Sequence, residues 1–372
     1  MTPEELRADI PATDDVAYFN TGASSPSPRN VVEAAQSFLA HHQFDSPSGE
    51  GMYPVAFDAY DDAREAVAGF LGADADEIAL THSTTDGINR IAASIDWEPG
   101  DTVVRTDFEH PAGVLPWERF ERTDGIDVRV VESEAGRIDR DAFTDAVDGA
   151  RLVCVSSTTW NYGTRIPIDE LVDVAHDAGA FVLVDAVQRV GQTPVDVADW
   201  GADAVAASGH KWVLGTWGGG FLYVDDDVAG TLTPSAVGFR SIADASDDGF
   251  EFKPGAGRFE VGTTSPAPHV ALQTAIETVE SVGLDVVEDR IRRLATRFVD
   301  GLPAERVLSP ASPESGLVTV DVPDPEATVE RLADEGVVIR SLPDPDAVRA
   351  SIHAFNTAEE VDTLIEALSA EW

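Results

Sequence analysis

Short apolar runs rich in β-branched residues alternate with amphipathic stretches through most of the first 265 residues. The runs are nearly continuous in apolar residues, which is typical of strands buried on both faces of a sheet. They are DTVV (101–104), DVRVV (127–131), RLVCVSS (151–157), FVLVD (181–185), DAVAAS (203–208) and GGFLYV (219–224). Between two of them, DELVDVAHDAG (169–179) places its apolar residues on one helical face and ends at Gly179. This β-α-β alternation predicts an α/β domain with a mostly parallel sheet.

The order of elements changes after about residue 265. A long helical pattern covers 269–300, and strand patterns follow at 316–322, 336–342 and 348–352 before a final amphipathic helix. We therefore predict a large α/β domain over residues 16–265 and a smaller α+β domain over residues 266–372. Residues 1–15 are expected to pack near the smaller domain.

The chain has 68 Asp and Glu residues against 25 Lys and Arg residues, which gives a net charge of −43. The acidic residues are spread along the whole chain, as on the solvated surfaces of halophilic proteins, and they argue against nucleic acids and anionic membranes as partners. The one cysteine, Cys154, excludes an internal disulfide and a multi-cysteine metal site, and no metal site is predicted. The sequence shows neither a targeting segment nor an apolar membrane span, so a cytoplasmic protein is expected.

This charge predicts that the folded protein depends on salt. Repulsion among surface carboxylates opposes the compact state, and the screening length falls from about 30 Å at 0.01 M salt to about 3 Å at 1 M. The melting temperature, followed by circular dichroism, is therefore expected to rise by several degrees or more between dilute and molar salt. An unchanged melting temperature over that range would contradict this prediction.

Polar residues follow the predicted strands at the points where the strands end. In an open parallel sheet, ligands bind at these carboxyl ends. The stretches found there are THSTTDGIN (81–89), DFEHPAG (107–113), SSTTWNYGT (156–164), DAVQ (185–188) and SGHK (208–211). Taken alone, STTD (83–86) is more readily a helix cap than a phosphate site, and GTWGGG (215–220) precedes a strand, which disfavours a nucleotide-binding loop. Together at one edge of the sheet, these stretches indicate a ligand-binding site more specifically than any one of them does alone.

Lys211 is one of only two lysines, and the other is Lys253. Arginine can replace a lysine that serves as a surface charge, but not one that reacts as an amine, because guanidinium keeps its proton in proteins. Asp185 ends the preceding strand at the same sheet edge. A pyridoxal phosphate (PLP) enzyme needs a lysine that binds the cofactor, a carboxylate for the ring nitrogen and a hydroxyl-rich helix start for the phosphate. These residues therefore predict a PLP site.

The sequence resembles the class V aminotransferase family of fold-type I PLP-dependent enzymes, which includes cysteine desulfurases, selenocysteine lyases and isopenicillin N epimerase. Seven stretches match in family order over nearly the whole chain: YFNTGASSPSP (18–28), THSTTDGIN, FEHPAGVLPW (108–117), VDAVQ (184–188), SGHKW (208–212), RFEVGTTSP (258–266) and VRASIHAFNTAEEVD (348–362). The resemblance implies the fold-type I PLP-dependent transferase fold, in which the large domain has a mostly parallel seven-stranded sheet. It also implies a homodimer with shared active sites.

The resemblance assigns a role to each matching residue. The implied catalytic residues are Lys211, which carries the cofactor as a Schiff base and moves a proton at Cα, Asp185 at the pyridine nitrogen, and His110, which stacks on the ring. The implied cofactor contacts further include Gln188 at the phenolic oxygen and, at the phosphate, Thr84, Thr85, Ser208 and His210, together with Thr263 from a second subunit. The substrate is expected to lie against Gly22, Ala23 and Arg349, whose guanidinium suits a carboxylate.

Two positions depart from the family pattern. The loop that carries a sulfur-accepting cysteine in the desulfurases corresponds to SLPDPDA (341–347), which has no cysteine, and Cys154 lies in a different predicted strand. Where members often have Asn, this chain has Trp160, followed by Asn161.

The sequence thus predicts a PLP enzyme that deprotonates an amino acid at Cα and catalyses transamination, epimerisation or C–S cleavage without a catalytic cysteine. A cysteine desulfurase or selenocysteine lyase is the alternative within this class of enzymes. A nucleotide-binding or purely structural α/β protein is the alternative outside it.

Overall fold

A seven-stranded sheet forms the centre of the computed structural model, which describes residues 1–246 and 249–371. In spatial order, the strands are Ile78–Thr81, Gly220–Val224, Ala204–Ser208, Phe181–Asp185, Leu152–Ser156, Thr102–Thr106 and Asp127–Val131. Gly220–Val224 runs antiparallel to both of its neighbours. The other adjacent strands are parallel. The mostly parallel seven-stranded sheet predicted from the sequence is confirmed.

The continuous apolar runs are explained by burial on both faces of this sheet. Val153 and Val155 point into one hydrophobic core. Leu152 and Cys154, which alternate with them, belong to a second core on the opposite face. Because successive side chains of a strand point to opposite faces, a strand between two cores has no position left for a solvent-exposed polar residue.

Helices pack around this sheet and around a smaller one. The α-helices are Pro3–Ala8, Arg29–Ala40, Met52–Leu71, Thr84–Ala92, Leu115–Asp124, Arg140–Val147, Ile168–Asp177, Val197–Trp200, Asp226–Ala229, Ala267–Val282, Leu284–Asp300, Pro325–Asp334 and Ala358–Ser369. In the described parts of the chain, no helix combines the length and the apolar character that crossing a membrane requires.

The long helix predicted over 269–300 is two helices. Ala267–Val282 ends at Gly283, and Leu284–Asp300 begins directly after it. Gly283 has a φ of 91°, a backbone conformation that glycine adopts without a steric penalty. The apolar periodicity continues across the break, and the sequence pattern therefore predicts a single helix.

The smaller sheet has three antiparallel strands, with Asp346–Ser351 between Leu317–Val320 and Arg340–Pro343. The strand predicted over 336–342 is split, because Val337–Val338 pairs instead with Ala17–Tyr18. Two further pairs of short antiparallel strands are Ser133–Glu134 with Arg137–Ile138, and Ile242–Ser246 with Gly249–Phe252.

Packing around residue 266 bears on the predicted domain division. The buried residues of Ala267–Val282 belong to a core of the large sheet, whereas Val318, Val348 and Leu364 form a separate core under the small sheet. The first of these cores also includes Leu317 and Phe355, so it extends beyond the large sheet. The division after residue 265 and the packing of residues 1–15 stay predictions, although Arg7 pairs with Glu360 at 2.7 Å.

Candidate active site

A cavity of about 350 Å³ opens at the carboxyl ends of the parallel strands. It is lined by Gly22, Ala23, Ser83, Thr84, Thr85, His110, Pro111, Ala112, Trp160, Asp185, Val187, Gln188, Ser208, His210, Lys211, Arg340, Pro343 and Arg349. All the residues predicted for the site line this cavity except Thr263. A cavity of about 400 Å³ lies elsewhere, beside Glu260 and Lys253, and none of the predicted site residues lines it.

The backbone around Lys211 is held in a tight turn after the strand Ala204–Ser208. The Leu214 amide donates to the Lys211 carbonyl at 3.2 Å, and Leu214 has a φ of 66°, which is unusual for a residue with a side chain. The adjacent Trp212 is fully buried, its indole donates to Gln188 Oε1 at 2.8 Å, and its carbonyl lies 3.0 Å from His353 Nε2. These contacts fix the position from which the lysine side chain enters the cavity.

The surroundings of Lys211 shift its amine toward the neutral form. Burial lowers the pKa of Lys211 to about 8, because desolvation disfavours the charged form. The negative charge of Asp185 opposes this shift, whereas the positive charges of Arg349 and Arg340 add to it. A lysine with such a pKa presents a usable fraction of free amine near neutral pH, which both covalent attachment and proton abstraction require.

Asp185 lies at the end of its strand and is 4% exposed. Its Oδ1 accepts a hydrogen bond from the Val187 amide at 3.0 Å. Burial raises its pKa, while that hydrogen bond and the nearby Lys211 charge act in the opposite direction. A carboxylate held this way is suited to a cationic ring nitrogen, which would stabilise its charged form.

Gln188 is buried and lines the same cavity. Both ends of its side-chain amide already form hydrogen bonds within the protein. Its Nε2 donates to the Gly22 carbonyl at 2.9 Å, and its Oε1 accepts from Trp212. Since an amide NH₂ has two protons, Nε2 keeps one donor for the predicted contact with a phenolic oxygen.

The predicted phosphate residues meet at the start of the helix Thr84–Ala92. Ser83 caps this helix, and its hydroxyl accepts from the Asp86 amide at 3.1 Å. The Thr84 amide donates to Ser208 Oγ at 2.6 Å, and the two hydroxyl oxygens of Thr84 and Ser208 lie 2.7 Å apart. Thr85 is exposed on the first turn. A helix start that brings several hydroxyls together is suited to an anion.

Two histidines line the cavity, and both are neutral at physiological pH. Burial, followed by the Lys211 charge, lowers the pKa of His210 to about 4. Burial and the charges of Lys211, Arg340 and Arg349 lower the pKa of His110 to about 4. His110 Nδ1 accepts from the Ala112 amide at 3.2 Å, and its ring meets Trp160 edge-on at 5.7 Å. A neutral imidazole fixed in this way can lie against an aromatic ring without bringing a like charge to the site.

Arg349 is 1% exposed, and part of its guanidinium has no protein partner. Nη1 donates to the Trp160 carbonyl at 2.6 Å, whereas Nε and Nη2 are buried without a hydrogen bond among the described residues. Gly22 makes room for this group, since a Cβ at that position would lie 2.9 Å from Arg349 Nη2. Buried donors without partners are costly, so this edge of the guanidinium points to an anionic ligand.

Thr263 is exposed and does not line the cavity. Its predicted contact with the phosphate of a second subunit stays a prediction, as do the individual roles assigned to the other site residues.

The sequence reasoning missed Glu109. This buried carboxylate accepts from Thr106 Oγ1 at 2.6 Å, from the Ser156 amide at 2.9 Å and from Ser156 Oγ at 2.6 Å. Burial raises its pKa to about 7. These bonds tie the loop that bears His110 to the neighbouring strand end. The only signal in the sequence is its position next to His110 in FEHPAG.

The family model for aminotransferase class V matches residues 17–364. The chain belongs to this family. A relative from Methanothermobacter thermautotrophicus, named a probable cysteine desulfurase, is 35% identical over 99% of this chain and 98% of its own length. The solved structure of an apo cysteine desulfurase from Thermococcus onnurineus NA1 is 31% identical and superposes with a TM-score of 0.91, covering 100% of this chain and 99% of the other.

Two solved structures of the cystine C–S lyase C-DES are also similar. One, a mutant with glycine linked to its PLP cofactor, is 27% identical with a TM-score of 0.92, covering 98% of this chain and 99% of the other. The second, a complex with the product cysteine persulfide, is 28% identical with a TM-score of 0.91, covering 97% and 99%. The predicted family, its PLP-dependent enzyme fold and the predicted cofactor are confirmed.

The residues around the cavity fit PLP on structural grounds. The amine of Lys211 with its lowered pKa, the buried carboxylate of Asp185 and the hydroxyls of Thr84 and Ser208 at a helix start are the groups that an aldehyde, a pyridine nitrogen and a phosphate require. Trp160 also lines the cavity, and its buried indole N–H has no hydrogen-bond partner among the described residues.

Proposed function

We propose that this protein is a PLP-dependent C–S lyase that cleaves a sulfur-containing amino acid by β-elimination, without a catalytic cysteine. The observation that carries the proposal is the position of the chain's single cysteine. Cys154 is fully buried in a strand of the central sheet, on the face that packs against Trp117 and Phe120, and it does not line the cavity. The cystine lyase activity named for C-DES provides a precedent on this fold.

Three residues of the cavity have distinct roles in the proposed reaction. PLP supplies an electron sink that makes the Cα proton of a bound amino acid acidic. Lys211 would hold the cofactor and would take the Cα proton of the bound substrate, with an amine whose pKa is about 8. Asp185 keeps the pyridine nitrogen protonated, and the free edge of Arg349 orients the substrate through its carboxylate.

The overall elimination is redox-neutral and needs no acceptor on the protein. Cystine and water give pyruvate, ammonia and cysteine persulfide; cysteine and water give pyruvate, ammonia and sulfide. A desulfurase instead transfers sulfur to a thiolate and releases alanine, which requires a reactive cysteine at the site.

Cys154 is poorly suited to that transfer. Burial raises its pKa well above the ordinary value, and the negative charges of Glu109 and Asp185 add to the shift. The segment matching the cysteine-bearing loop of the desulfurases is a hairpin, in which Pro343 pairs with Asp346 across a two-residue turn. A hairpin with a two-residue turn is not a long flexible loop that could carry a thiol to the substrate.

The variant Cys154→Ala tests the proposal. Sulfur release from cystine or cysteine is expected to stay within a few-fold of the wild-type rate, because the thiol only fills space in the core. Mass spectrometry of the wild-type protein after turnover is expected to show no persulfide on Cys154. Melting temperatures control for the volume lost from the core. Loss of sulfur release in a folded Cys154→Ala protein would instead favour the desulfurase alternative.

We also infer that two subunits form the active unit. The match of RFEVGTTSP to the family segment that reaches a second subunit supports this, as do exposed aromatic side chains such as Phe44, Tyr53 and Phe239. Light scattering in molar salt is expected to give twice the mass of the 39.6 kDa chain. A monomer with full activity would refute this assembly. A cytoplasmic location stays a prediction.

A further inference from the structure

Glu109 is a buried carboxylate that the proposed reaction does not use. Its side chain does not line the cavity that contains Lys211. Its Oε1 accepts from Thr106 Oγ1 and from the Ser156 amide, and its Oε2 accepts from Ser156 Oγ. Within residues 1–246 and 249–371, Glu109 forms no ion pair. Two of its three donors are hydroxyls that can also accept, so a neutral amide would tie the same segments together without the cost of burying a charge.

Ser156 connects Glu109 to Asp185. In the parallel pairing of Leu152–Ser156 with Phe181–Asp185, Ser156 and Asp185 are direct partners. Adjacent strands lie about 4.8 Å apart, and side chains of direct partners project from the same face. The two carboxylates therefore belong to one cluster at neighbouring strand ends, with a single serine between them. Their charges interact, since burial and then the Asp185 charge raise the pKa of Glu109 to about 7.

The other titratable groups around Glu109 do not change charge with it. Burial, followed by the charges of Glu109 and Asp185, raises the pKa of Cys154 well above its ordinary value, so the thiol stays protonated. Burial lowers the pKa of the adjacent His110 to about 4, so the imidazole is neutral. Arg105 donates to a backbone carbonyl and pairs with no carboxylate in the described part of the chain. In this cluster, Glu109 is therefore the group that changes charge near neutral pH.

We propose that Glu109 is a positioning residue for the cofactor, and that its negative charge, added to that of Asp185, helps to hold a proton on the ring nitrogen of bound PLP. Glu109 acts through Asp185 and does not touch the ring. Without a nearby cation, the two buried charges repel each other, and a cationic ring nitrogen at Asp185 relieves this repulsion. The inference rests on the role proposed for Asp185, and it holds whichever bond of the substrate is broken.

The test measures PLP affinity as a function of pH. PLP is titrated into the apoprotein at fixed molar salt and followed by its absorbance, from about pH 5.5 to about pH 8.5, for the wild type and for Glu109→Gln. At the acid end Glu109 is protonated, and the two proteins are expected to bind PLP equally well. At the alkaline end Glu109 is ionised, and the wild type is expected to bind roughly tenfold more tightly. Lys211 titrates in both proteins, so its contribution cancels from the ratio.

Two further variants retain a group that can titrate or restore it. Glu109→Asp keeps the charge on a shorter side chain and is expected to regain part of the alkaline advantage. Ser156→Ala removes one of the three donors to the carboxylate, which disfavours the charged form. It is expected to shift the rise in affinity to higher pH, and it tests the inference even where Glu109→Gln does not fold. Melting temperatures of the apoproteins show which variants are folded.

Two controls separate this role from a general effect of buried carboxylates. Asp203→Asn replaces a buried aspartate at the opposite end of the strands, and its affinity relative to wild type is expected to be the same at every pH. In an Asp185→Asn background, Glu109→Gln is expected to change PLP affinity by less than about twofold, because the ring nitrogen no longer holds its proton.

Three outcomes would overturn the inference. A ratio of wild-type to Glu109→Gln affinity that is constant with pH would show that Glu109 only supports its loop. An effect of Glu109→Gln that is equally large in the Asp185→Asn background would show that it does not act through Asp185. An unshifted pH profile in Ser156→Ala would show that the serine does not control the carboxylate. Absence of C–S lyase activity, with the expected pH-dependent ratio intact, would refute the proposed function alone.

Discussion

Replacing Lys211 by alanine is expected to reduce turnover by roughly three orders of magnitude or more, because in the proposed mechanism one amine both holds the cofactor and moves the Cα proton. The environment of Lys211 supports this role, since burial lowers the pKa of its amine to about 8 and Asp185 lies close enough for their charges to interact. Steady-state rates with saturating PLP measure the effect. Borohydride reduction of the wild-type holoenzyme, followed by peptide mapping, is expected to find the pyridoxyl group on Lys211.

The other lysine of the chain provides the matched control. Lys253 is partly buried beside Glu260 and lines a different cavity. Lys253→Ala is expected to keep activity within a few-fold of wild type and to leave the pyridoxyl adduct on Lys211. A pyridoxyl adduct on Lys253, or substantial activity in Lys211→Ala, would show that the lysine has been misassigned.

Replacing Asp185 by asparagine is expected to lower turnover by roughly 10²–10³-fold while the protein stays folded. The asparagine amide oxygen can still accept from the Val187 amide, so the strand end keeps its hydrogen bond. What is lost is the negative charge, and with it the stabilisation of a protonated pyridine nitrogen. Rates at saturating PLP, together with the melting temperature, separate loss of catalysis from loss of stability.

Asp203→Asn tests whether any buried charge in the sheet has the same effect. Asp203 is also a buried aspartate, but it binds the Val182 amide at 2.6 Å and His176 at 2.9 Å, at the opposite end of the strands. Its replacement is expected to lower stability with little effect on the rate of the folded enzyme. If the two variants lose activity equally, Asp185 has no specific role at the cofactor.

The sheet and most of the cavity could be predicted because their signals are local in the sequence. Strands buried on both faces give continuous apolar runs, and parallel strands bring the residues that follow them to one edge. Lys211, Asp185 and Thr84 therefore meet as expected. The resemblance to the family added Arg349 and Gly22, which lie far from these residues in sequence.

Other features depend on tertiary details that no local pattern specifies. The pairing of Arg340 with Arg349 follows from the position of a two-residue turn, and a shift by one residue would place the side chains on opposite faces. Glu109 is recognisable only once Thr106 and Ser156 are seen to converge on it. The break at Gly283 interrupts an apolar pattern that is continuous in the sequence.

The measurement that tests C–S lyase activity most directly is identification of the carbon product formed from cystine and from cysteine. The wild-type holoenzyme is predicted to release pyruvate and ammonia in equal amounts, together with persulfide or sulfide, and Cys154→Ala is predicted to give the same products. Because elimination removes the sulfur with its bonding electrons and the amino group is then lost as ammonia, alanine should not form. Alanine in stoichiometric amount, with a persulfide on Cys154, would contradict the proposed function.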